Sequence, residues 1–127
     1  MTRVLLIGLT PESVDFSDPG LPPGMNAEKI RAGIEIAERQ MRDRGWTAEQ
    51  CLVEPDATAA AEVRRKLAGA RYDCVVIGGG IRLPPRSYLL FEAVINAVHR
   101  GAPDAAIAFN TSPETSTDAV ERWVNAG

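Results

Sequence analysis

Along the chain the spacing of apolar residues changes period several times, always in the same order. Val4–Leu9 (VLLIGL) is an unbroken apolar run, the pattern of a strand covered on both faces. After a long proline-rich stretch, Ile30, Gly33, Ile34, Ala37 and Met41 recur at the spacing of one helical face. Asn26 stands where it can cap that helix, Arg42 and Arg44 suit its negative end, and Gly45 stops it. Glu49–Val53 (EQCLV) reads as a thinner strand. Pro55 and Asp56 then open a second helix, with Ala60, Val63 and Leu67 inward and Gly69 at its end. Cys74–Gly78 (CVVIG) is a third strand, followed by a helix that starts near Pro85–Ser87 and ends at Gly101. Ala105–Asn110 (AAIAFN) is a fourth strand. The last helix, beyond TSPETST, is expected to bury Val120, Trp123 and Val124.

Strands that alternate with helices pair in parallel through right-handed crossovers. The two most apolar strands, the first and third, belong in the middle. The expected fold is therefore α/β: a three-layer, doubly wound, four-stranded parallel sheet in the order 2-1-3-4, forming one domain over residues 1–127. In element order this layout is Rossmann-like and resembles the flavodoxin-like group, which includes response-regulator receiver domains. The resemblance covers the whole chain but rests on no motif residue. Receiver domains carry acids after the first strand and an aspartate after the third; here those positions read Gly8-Leu9-Thr10 and Gly78. Flavodoxins hold a phosphate in a first loop rich in hydroxyls and glycines, which here reads TPESVDFSDPGLPPGM, and the fifth strand–helix unit usual in both is missing. No functional residue carries over from either.

Composition narrows the class of function. The 127 residues are 45% hydrophobic and 24% charged, the balance of a globular chain, with a net charge of −3. Basic residues are interleaved with acids, so no stripe suited to nucleic acid emerges. No apolar run is long enough to span a membrane, and MTRVLLIGL is not a signal peptide. Cys51 and Cys74 both fall in strand segments and read as buried thiols in a reducing cytoplasm.

In an open parallel sheet, ligands collect outside the carboxyl ends of the strands, where strand order reverses. Here three loops meet at that point. The first, Thr10 to Met25, is long and stiffened by Pro11, Pro19, Pro22 and Pro23. The second is GGGIRLPPR, where Gly78, Gly79 and Gly80 allow a close backbone approach and Arg82 and Arg86 suit a carboxylate or phosphate. The third carries Asn110, Thr111 and Ser112. Thr10, these glycines, both arginines and these three polar residues form the candidate site, for a small anion or other small ligand. The dinucleotide and Walker fingerprints are absent: Leu83 stands three residues past Gly80, and no lysine–hydroxyl pair follows. The competing reading is a plain turn, with the arginines solvated or paired to Asp15 or Asp18.

Several chemistries are disfavoured. His99, the only histidine, lies in the last turn of its helix, and Cys74 begins its strand. Both therefore belong to the edge opposite the three loops, too far for a nucleophile–base couple or a metal site there. Glu12, Asp15 and Asp18, with Ser13 and Ser17, offer oxygen ligands for Mg²⁺, but such acids are more often solvated or capping groups, and no metal is expected. Glu92, Asn96 and His99 share one helical face, which reads as solvated. That helix (YLLFEAVINAV) is otherwise apolar almost all round. Leu90, Phe91 and Val94, with the uncovered fourth strand, are expected to join two copies of the chain, unless Trp123 closes over them. Neither a reaction nor a cofactor is named by these residues. The choice is between a small-ligand site and a non-catalytic homodimeric regulatory or interaction module.

Overall fold

The computed structural model describes residues 2–124. Its four strands form one all-parallel sheet in the order expected, 2-1-3-4, with helices on both faces. Strand β1 (Arg3–Leu9) lies between β2 (Thr47–Val53) and β3 (Cys74–Ile77), and β4 (Ala106–Phe109) pairs with β3 alone. Of the two central strands, β3 is wholly buried and β1 nearly so, which accounts for their unbroken apolar sequences.

Alternation along the strands sorts the side chains into two cores. Leu5, Ile7, Cys51, Val53, Val75 and Ile77 meet α2 (Ala59–Ala68) and α4 (Tyr88–Gly101). Val4, Leu6, Cys74, Val76 and Ala108 meet α1 (Ala27–Asp43) and α5 (Ser116–Val124). Burying each aliphatic side chain of this kind stabilises the fold by ~1.5–3 kcal/mol.

The ends of α1 are set locally. The Asn26 side chain accepts from the Lys29 amide at 2.9 Å. At the other end Gly45 adopts φ +78°, which lets its amide reach Arg42 O and the Trp46 amide reach Met41 O, at 2.9 and 3.0 Å. Buried Trp46 and Met41 share the core beneath this closing turn.

Four details depart from the sequence expectation. Strand β2 begins at Thr47 rather than Glu49, because an edge strand can pair through polar residues: Glu49 bonds Arg3 at 2.6 Å and Lys66 at 3.2 Å. Asp56 caps the turn before α2, accepting from the Thr58 amide at 2.8 Å, so the helix itself starts at Ala59. A one-turn helix, α3 (Gly79–Arg82), precedes the 3-10 turn at Pro85–Ser87 and the long α4. Finally, α5 buries Ser116, Thr117, Ala119 and Val120, while Trp123 stays 56% exposed. Because α5 and α4 lie on opposite faces of the sheet, Trp123 is not the cover for α4.

Candidate functional site

The three loops do meet at the carboxyl edge, but Gly78 and Arg82 there bond the protein's own backbone and Arg86 pairs with carboxylates of the first loop. The Gly78 amide donates to Ile7 O at 2.8 Å, and a Cβ on Gly78 would lie 3.1 Å from that same oxygen. Gly78 therefore lets the chain leave β3 across the end of β1. Gly79 and Gly80 form the first half of α3 and have negative φ, as all described residues do except Gly24 and Gly45. The stretch turns a corner, and it does so by winding one helical turn.

Arg82 then reaches back as a clasp. Its Nε donates to Ile77 O at 2.9 Å, Nη2 donates to Asn110 O, and the guanidinium lies 4.9 Å from the centre of the Phe109 ring. Partial burial lowers its pKa, and it binds carbonyls rather than a carboxylate. Arg86 pairs with Asp15 and, at 3.3 Å, with Asp18. Hydrogen bonds from Ser17 and then Arg86 hold the Asp15 carboxyl down at about 2. Glu12 pairs with Arg31 of α1, so the acids of the long loop face arginines. Thr10 is turned toward β2, its amide donating to Val53 O at 2.9 Å.

Gly78, Gly79, Gly80, Asn110, Thr111 and Ser112 instead line a pocket of about 470 Å³ between the sheet and α1. Its floor is Leu6 and Gly8 of β1 with Gln50 and Leu52 of β2; its roof is Ile30, Ile34 and Ala37 of α1. Phe16, Leu21, Pro22 and Met25 of the long loop wall the mouth. The hollow has a sequence cause. Val4 and Leu6 fill the α1 face of β1, but the next position on that face is Gly8. A Cβ on Gly8 would meet nothing nearer than Leu52 Cδ2 at 3.9 Å. At Gly33, by contrast, the missing side chain lets Pro113 and Glu114 press against α1 and close that end of the pocket.

The polar end is built around Asn110, which is 7% exposed. Its Nδ2 donates to Ser116 Oγ at 2.9 Å, while its Oδ1 is buried with no partner among the described residues. Thr115 Oγ1 ties the neighbouring loop together, accepting from the Thr111 and Ser112 amides at 3.0 and 3.2 Å. Gln50 on the far side also has a buried, unpartnered atom, Nε2. Gly8, Gln50 and the apolar wall of the long loop were not among the residues singled out from sequence. The available signals were a glycine breaking the run VLLIGL and a glutamine where alternation calls for an apolar residue.

A second depression of about 530 Å³ lies around Asp15, Asp18, Arg86 and Leu89. Its Arg86 is paired with Asp15 and Asp18, and its Asp56 accepts from Thr58. His99 is exposed near the end of α4, and Cys74 is paired with Val4 and Ala106 at the opposite, amino edge of the sheet. Burial pushes the Cys74 thiol up to about 11 and also raises that of Cys51. Among the described residues, no helix is long and apolar enough to cross a membrane. Comparison with known proteins finds no family model and no curated protein that matches the chain.

Proposed function

We propose that this protein binds a small molecule in the pocket between α1 and the carboxyl edge of the sheet, as a binding module rather than a catalyst. The observation that carries this reading is the hollow at Gly8, placed at the strand-order reversal and closed at one end by the buried amide of Asn110. Parallel sheets collect ligands there, and about 470 Å³ is within the range of small-molecule sites. The described lining holds no histidine or cysteine, and its one carboxylate, Glu114, is exposed against α1. Its amine, Lys29, donates to Gly24 O at 2.7 Å, and Ser116 Oγ accepts from Asn110, so these groups serve the fold and the set suits recognition.

Native mass spectrometry of the purified chain, followed by a thermal-shift library on wild type and Gly8→Val, tests the proposal. A co-purifying molecule, or compounds that raise the wild-type midpoint but not the variant's, supports it. No stabilising compound, or equal stabilisation of the variant, overturns it.

The second reading is self-association. Among the described residues strand β4 pairs on one side only, and Tyr88 and Leu89 at the start of α4 are 64% and 61% exposed. Of the residues expected at such an interface, Val94 is fully buried, and Leu90 and Phe91 pack on the core, Phe91 edge-on to Phe109. Tyr88, Leu89 and the β4 edge would carry the contact. Light scattering at micromolar concentration tests it: a dimer lost in Leu89→Glu supports this reading, and a monomer removes it.

A further inference from the structure

We infer that the pocket's occupant is an uncharged, elongated, mainly apolar molecule with a hydrogen-bond donor at one end and a carbonyl-type acceptor at the other. This rests on the binding role proposed above and deepens it.

Two buried side-chain atoms lack a partner among the described residues, and both belong to amides that line this pocket: Asn110 Oδ1 and Gln50 Nε2. Asn110 has already used its Nδ2 on Ser116, so what it lacks is a donor. Gln50 lacks an acceptor. A buried polar atom left without a partner costs ~1–3 kcal/mol; both atoms are covered as the side chains stand, so a ligand N–H or C=O recovers that cost when the amide turns toward it.

The register fixes how far apart the two amides stand. Gln50 on β2 pairs with Leu6 on β1, Leu6 with Val76 on β3, and Val76 with Ala108 on β4; Asn110 follows two residues later. The amides thus stand at the two outer strands, three spacings of ~4.8 Å apart across the sheet and two residues of ~3.3 Å apart along it. A molecule that touches both runs across the strands over Leu6, Gly8 and Gly78, an apolar floor with little side chain.

Charge excludes the ionic alternatives. The charged residues of the described lining are Lys29 and Glu114, of opposite sign, and the Lys29 ammonium donates to Gly24 O at 2.7 Å. Arg82 and Arg86 are spent on carbonyls and on Asp15 and Asp18. Lys29 and Glu114 are both exposed, so an ionised group held between the two buried amides would have no counter-ion buried beside it, and a buried unpaired charge costs far more than a buried amide.

The test titrates the full chain with 4′-acetylbiphenyl-4-carboxamide and with the matching 4′-acetylbiphenyl-4-carboxylate, by calorimetry. The carboxamide is expected to bind wild type at least about 10-fold more tightly than the carboxylate. Asn110→Leu and Gln50→Leu are each expected to weaken it about 10-fold, as loss of one buried hydrogen bond predicts. Circular dichroism checks that both variants fold; Gln50 is on an edge strand, so its variant remains informative if Asn110→Leu does not fold. Equal binding of the two compounds, or carboxamide binding unchanged in the folded variants, overturns the ligand class and leaves the pocket standing. Failure of both compounds to bind wild type also overturns the class, and the library comparison with Gly8→Val then decides the pocket separately.

Discussion

Replacing Gly8 with valine is expected to make the protein more stable and the pocket useless. Gly8 sits inside β1 with a φ that any residue tolerates, since positive φ among the described residues is confined to Gly24 and Gly45. Glycine in a strand interior costs ~0.5–1 kcal/mol relative to alanine, and β-branched residues suit strands better still. The new side chain enters open space, with Leu52 Cδ2 as its nearest neighbour at 3.9 Å from the Cβ. Each methyl or methylene it buries adds up to ~0.8 kcal/mol, less where the pocket mouth leaves it wet. The net gain is about 1–3 kcal/mol, or roughly 4–12 °C in midpoint for a chain of this size. Urea unfolding by tryptophan fluorescence measures it, with m unchanged if only the folded state has altered. A loss of about 1 kcal/mol or more would refute the reasoning, because it would mean the space above Gly8 is filled in solution. A gain in stability with ligand binding intact would place the ligand elsewhere.

Arg82→Ala is expected to destabilise the fold by about 2–4 kcal/mol, since two carbonyls lose a charged donor and Phe109 loses its stacked guanidinium. Arg82→Lys should recover only part of this, having no planar fork, and an alanine variant within about 0.5 kcal/mol of wild type would dismiss the clasp. The Asp15 contribution is pH-dependent. Its folded pKa is depressed from 3.8 to about 2, so its stabilising effect is present above pH 4 and fades as pH falls toward 2. Hydrogen exchange in the segment 15–20 should rise over that window in wild type and show no such step in Asp15→Asn; identical profiles would contradict the assignment. Cys51 and Cys74, buried and with raised pKa, should resist Ellman's reagent at pH 8 until the chain is unfolded. Rapid labelling of the native protein would show that one strand opens readily.

Strand order, sheet direction and both layers were legible because apolar runs and helical spacing report burial directly. Positions 78–80 were legible as a turn, but not as a helix: three glycines disfavour one, and only the Gly78 approach to Ile7 O and the Arg82 clasp explain it. The same arginines looked like anion ligands because sequence shows charge without showing partners. Asp15 and Asp18 were legible as alternative partners, and the folded loop gives both to Arg86, while Arg82 goes to carbonyls that no charge pattern marks. Gly8 and Gln50 escaped notice because a pocket is marked by what is missing, a side chain in one case and a partner in the other.

The central place of β1 bears on how the chain is made. Leu6 pairs with Gln50 on one side and Val76 on the other, so β1 leaves the ribosome before either neighbour exists. At ~5–20 residues per second, its apolar run waits several seconds for β3. A segment rich in valine, leucine and isoleucine, without charge or proline, is the kind that pairs with copies of itself during such a delay. Nascent-chain yield should therefore depend more on how fast β3 docks than on how stable the finished sheet is. Slow codons placed between β2 and β3 would lengthen the exposure, while slow codons after β4 would leave it unchanged.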